Sequence, residues 1–101
     1  MAIATPVIDN ENKSTTKEPP MYSVIILNDD YTPFEFVVHI LMDVFSMSRA
    51  KAISTMLKAH NTGVANCGAF TKDIAETKSN QVNEISSSYG YPLKSDIQLE
   101  E

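Results

Sequence analysis

The sequence predicts a small single α+β domain, a three-stranded antiparallel sheet packed against three helices in the order β-α-α-β-α-β. Three observations lead there. The run MYSVIIL at 21–27 is β-branched and nearly all apolar, the composition of a strand buried on both faces. Three later stretches repeat apolar residues with the 3.6-residue period of a helix. The segment LKSDIQLE at 93–100 alternates its side chains in the two-residue period of a half-exposed strand. A length of 101 residues suits one modest core and no second one.

The elements follow in chain order. Residues 1–20, MAIATPVIDNENKSTTKEPP, are rich in Thr, Asn, Lys, Glu and Pro and have almost no periodicity, so they are expected to be a disordered N-terminal extension; residues 21–101 form the core domain. MYSVIIL is then the central strand. NDDY supplies turn residues, and Thr32-Pro33-Phe34-Glu35 matches a capping box, with Thr32 as N-cap and the helix beginning at Pro33. Val37, Ile40, Leu41, Val44 and Phe45 give that helix an apolar face, and His39 is left to solvent. Ser48 caps a second helix that turns Ala52, Ile53, Met56 and Leu57 inward, carries His60 at the end of that face, and stops before a left-handed Gly63. VANCGAF at 64–70 is a short strand of small residues. Thr71 caps a third helix with Ile74, Ala75, Lys78, Val82, Ile85 and Tyr89 in phase, ended by Gly90 and Pro92. On the last strand Leu93, Ile97 and Leu99 share a face, with Ser95 between them.

Composition narrows the function. With 43% apolar and 21% charged residues the chain is globular. Its net charge is −5 and its eight basic residues are scattered, so no stripe exists to neutralise phosphates and nucleic acid is not expected as a partner. No apolar run approaches the ~18–20 residues that cross a bilayer, and no basic segment precedes an apolar one as in a secretory signal. A cytoplasmic protein is expected, or a plastid stromal one shown without its transit peptide. Cys67, the single cysteine, cannot form an internal disulfide and has no basic activator nearby, so it is expected in the core.

The adjacent carboxylates of Asp29 and Asp30 need a reason. A turn and the positive end of the following helix account for one of them. The second repels the first unless a cation sits beside them. A divalent metal finds at most three ligands in Asp29, Asp30 and His60, without a recognisable metal-binding spacing, so neither a metal nor another cofactor is expected. Acid–base catalysis would need a nucleophile and an oxyanion site, and no such motif is present, so the chain is not expected to be an enzyme. The third candidate is an ammonium group on a ligand, held by a carboxylate, the Asn28 amide oxygen and a neutral imidazole nitrogen. A free α-amino group, mostly protonated at neutral pH, suits that cluster.

Three separated stretches, MYSVIILNDDYTPFEFVV, MLKAHNTGVANCGAFTKDIAETK and YPL, together resemble the ClpS family, adaptors that deliver N-degron substrates to the Clp AAA+ protease. The resemblance implies a compact α+β fold. It also implies that Asn28, Asp29 and His60 hold the substrate's α-amino group and first peptide unit, with Asp30 in the same acidic motif. Ile26, Leu27, Thr32, Phe34, Val37, Met56, Ala59 and Leu93 match the family's side-chain pocket, whose ligands are N-terminal Phe, Tyr, Trp and Leu. The implied partners are N-degron proteins or peptides and the N-terminal domain of a ClpA- or ClpC-type unfoldase, docked through Asp73 and Lys78, with the N-terminal extension engaged by the motor. Two positions depart from the family: Phe34 stands at a gate that is often Met, and Ala59 replaces what is often Val. The first narrows the mouth and the second widens the wall. The competing expectation is a ribosome-stalk-like interaction domain, which has no use for an Asn-Asp-Asp plus His constellation.

Overall fold

The apolar run at 21–27 becomes the middle strand of the sheet. In this computed structural model, which describes residues 19–100, β1 (Met21–Leu27) lies between β2 (Val64–Thr71) and β3 (Lys94–Leu99) and is antiparallel to both. Residues 1–18 of the expected extension lie outside the described residues. Ser23, Val24, Ile25 and Ile26 are buried in succession, so both pleats of β1 are covered, as its composition requires. Ile26 joins the core contributed by α1 (Phe34–Phe45), α2 (Arg49–Thr62) and α3 (Lys72–Ser88). On the opposite pleat the Ser23 hydroxyl donates to Glu100 at 2.8 Å and accepts from the Asn66 amide at 3.0 Å.

The expected element order is the observed one, and the differences lie in how elements start and which side chains they bury. The first helix begins at Phe34, and Pro33 rather than Thr32 occupies its N-cap position, in extended backbone with no side-chain cap. Thr32 cannot serve because its hydroxyl donates to Asp29. Glu35, the other half of the expected capping box, instead binds Arg49 at 2.6 Å, and that bond holds its carboxyl below the usual carboxylate range. Ser48 does cap α2, accepting from the Lys51 N–H at 3.1 Å. Gly63 ends it at φ 92°, donating to the Ala59 carbonyl at 2.8 Å, a conformation that favours glycine. Thr71 holds the N-cap position of α3 without a side-chain bond.

Of the residues expected on inward faces, Ala52, Met56, Ala75 and Val82 are buried, whereas Leu57, Ile74, Tyr89 and Leu99 are exposed. Tyr89 sits past the last turn of α3 and packs its ring on Phe36 at 5.3 Å. Leu99 lies near the end of edge strand β3, opposite Tyr22. Leu57 is exposed for a different reason, which the site explains.

Candidate functional site

Two short connections bring the polar candidates together. The Asn28 N–H, just past β1, donates to the carbonyl of Gly63 at 3.0 Å, which ties the end of the strand to the C-terminus of α2. Asn28 follows β1 while His60 rides on the last turn of α2, so this bond places them on one rim. Beneath that rim lies a cavity of about 350 Å³. Its inner lining is apolar and buried: Ile26 from β1, Val37 from α1, Met56 and Ala59 from α2, and Leu93 just ahead of β3. Leu27, Phe34 and Leu57 line it while remaining partly in solvent. Asn28, Asp29, Asp30, Thr32 and His60 complete it with polar groups.

Every residue expected at the amine contact or the side-chain pocket therefore lines one cavity, with Leu57 in addition. The helical period of α2 assigned Leu57 to the core. Its place directly after Met56, one turn before His60, was the available signal that it faces the site.

The acidic pair divides its work. Asp29 Oδ1 accepts from the Tyr31 N–H at 2.8 Å, the Thr32 N–H at 2.7 Å and the Thr32 hydroxyl at 3.0 Å, and its Oδ2 lies 2.8 Å from the same hydroxyl. This carboxylate thus organises the turn that leads into α1. Among the described residues no side-chain hydrogen bond engages the Asn28 amide, the Asp30 carboxylate or the His60 imidazole, and all three are exposed. The lining holds two carboxylates and neither Lys nor Arg. The mouth is anionic, rich in acceptors and open.

Asp73 and Lys78 do not line the cavity. Asp73 is exposed in the first turn of α3. Lys78 is half-buried: its ammonium donates to the Val44 carbonyl at 2.9 Å and lies 5.9 Å and 5.3 Å from the ring centres of Phe45 and Phe70. Cys67 is buried away from the site, and desolvation pushes its thiol up to about 12, far from the reactive thiolate range. Among the described residues no three His, Cys, Asp or Glu side chains converge as a metal site would require. No helix among them is long and apolar enough to cross a membrane.

Fold and site together define a small α+β binding domain whose apolar cavity opens beside exposed amide, carboxylate and imidazole groups. The family model described as ATP-dependent Clp protease adaptor protein ClpS matches residues 17–96, and the chain belongs to the ClpS family. The ATP-dependent Clp protease adapter protein ClpS of Alkalilimnicola ehrlichii is 53% identical over 77 residues, covering 76% of this chain and 73% of its own. That of Methylococcus capsulatus is 51% identical over 83 residues, covering 82% and 78%. A solved structure of Agrobacterium tumefaciens ClpS2 bound to L-phenylalaninamide matches with a TM-score of 0.81 at 40% identity, over 82% of this chain and 100% of that one.

Proposed function

We propose that this chain is an adaptor that binds the free N-terminus of proteins beginning with Phe, Tyr, Trp or Leu and delivers them to a Clp AAA+ unfoldase and its protease. The observation that carries this reading is the meeting of a 350 Å³ apolar cavity with Asn28, Asp30 and His60 at its mouth. That volume lies at the small end of ligand sites, suited to one large side chain and its first peptide unit. The phenylalaninamide held by Agrobacterium ClpS2 has the same three parts: an aromatic side chain, a free α-amino group and an amide.

This reading gives each group a role. Asp30 supplies the counter-charge to the ammonium, the Asn28 amide oxygen and a neutral His60 nitrogen accept from it, and Asp29 holds the turn that presents them. Ile26, Leu27, Thr32, Phe34, Val37, Met56, Ala59 and Leu93 surround the first side chain. Burying it contributes roughly 1.5–3 kcal/mol. Each hydrogen bond to the charged amine adds about 1.5–3 kcal/mol. An affinity near micromolar, about −8 kcal/mol, is the order of magnitude expected of such a site. No bond is made or broken; this is recognition followed by hand-over, in the cytoplasm or a plastid stroma. Docking to the N-terminal domain of a ClpA- or ClpC-type unfoldase runs through the α3 face that carries Asp73, with Lys78 anchoring that face to α1.

The test is a fluorescence titration with a peptide starting in Phe, its N-acetylated twin, and peptides starting in Leu, Tyr, Trp, Ile and Met. Free Phe is expected to bind near micromolar, acetylation to remove binding, and Ile to bind weakly because its Cβ branch meets the Phe34 gate. Equal binding of the acetylated twin would overturn the reading.

A further inference from the structure

We propose that the third residue of the bound peptide is selected as well as the first, by an apolar rim made of Leu57, Leu27 and Val64. The inference rests on the amino-terminus reading above. Leu57 and Leu27 line the cavity yet are 44% and 39% exposed. Val64 pairs with Leu27 across β2 and β1 and is 38% exposed, so it extends the same surface. A single exposed aliphatic residue needs no explanation. Three that continue a binding cavity outward mark a contact surface.

Spacing decides which substrate residue reaches it. Leu57 precedes His60 by one helical turn, which puts their Cβ atoms about 5–6 Å apart. Leu27 directly precedes Asn28, and Val64 stands about 4.5–5.5 Å from Leu27 across the strand pair. Leu57 and Leu27 therefore each stand within about 6 Å of an amine anchor, and Val64 lies one strand spacing beyond Leu27. An extended peptide advances about 3.3 Å per residue and turns successive side chains to opposite faces. With the first side chain in the cavity, the second points to solvent and the third returns to the protein about 6.6 Å along. That position lies over Leu57 and Leu27. The substrate class is then a large hydrophobic first residue followed, two positions on, by an apolar one.

The experiment compares labelled Phe-Gly-Leu, Phe-Gly-Ser and Phe-Leu-Gly peptides, otherwise identical and free of other apolar residues, on the full chain and on Leu57→Ser and Val64→Ser. Leu at position three is expected to bind about three- to tenfold more tightly than Ser. Leu at position two should bring no gain. The Leu-to-Ser ratio should collapse towards one in Leu57→Ser and shrink in Val64→Ser, whatever the absolute affinities. A ratio near one in the unaltered chain, a gain at position two instead, or a ratio untouched by both substitutions would overturn the rim. If Phe-Gly-Ser binds no better than its acetylated twin, the amino-terminus reading falls and the rim with it.

Discussion

Asp29 and Asp30 are neighbours in the chain with opposite relations to the fold. Asp29 accepts two backbone N–H groups and the Thr32 hydroxyl, so removing its carboxylate leaves those donors without partners at the entry to α1. Asp30 is exposed and contributes charge to the cavity mouth. Asp29→Ala is therefore expected to lower stability by about 1–2 kcal/mol and to weaken peptide binding through the disordered turn. Asp30→Asn should leave the melting temperature unchanged and weaken binding of a free N-terminal Phe about tenfold or more. Thermal melts run beside titrations of both variants check the division. Equal loss of stability in the two would refute it. A sequence reading could see two carboxylates and the need for a cation, but not which one the turn retains. That depends on Thr32, which propensity assigned to capping a helix and the fold uses as a donor to Asp29.

At the scale of elements, the strongly periodic pieces were legible in advance and the contacts between elements were not. β1, α2 and α3 declare themselves through long apolar or 3.6-residue patterns, and Ser48 and Gly63 bracket α2 through local chemistry alone. What sequence could not show are bonds that join distant positions. The Asn83 amide donates to the Ser95 carbonyl at 3.1 Å and accepts from its N–H at 2.8 Å, taking the place of a neighbouring strand along β3. Lys78 is the second such bond and the one with a bearing on function. The last turn of α1 has no basic residue, and its C-cap, Ser46, is left-handed at φ 55°. The Lys78 ammonium reaches across from α3 to the Val44 carbonyl and meets the negative end of the α1 dipole between two aromatic rings. Lys78→Met keeps much of the buried stem and removes the charge, and is expected to cost about 1–3 kcal/mol of stability in a denaturant melt. A variant as stable as the parent would show the ammonium free to serve a docking partner instead.

Over the whole molecule, charge sets what the cavity can attract. The chain carries −5 overall, and its cavity mouth has two carboxylates with no Lys or Arg among the lining residues, so a cationic terminus is drawn in and an acidic one repelled. The titrating group that follows from this belongs to the ligand. A free α-amino group loses its proton at about pH 7.7–8.0. In the proposed complex the acceptors and Asp30 favour the ammonium, which would raise its pKa above the free value. A group whose pKa rises on binding contributes fully below its free pKa, and the contribution declines as pH climbs from there to the bound value. Between about pH 7.5 and 9.5 affinity for a peptide with N-terminal Phe should thus fall, towards tenfold per unit above about pH 8. Added salt should weaken binding as well, because the Debye length shrinks to about 10 Å at 0.1 M. Anisotropy titrations across that range, on the unaltered chain and on Asp30→Asn, separate charge from shape. The variant has less preference for the ammonium, so its decline should be shallower. An affinity that stays level to pH 9.5 in the unaltered chain would mean that the mouth recognises the amine only as a hydrogen-bond donor, and Asp30 would lose its assigned role.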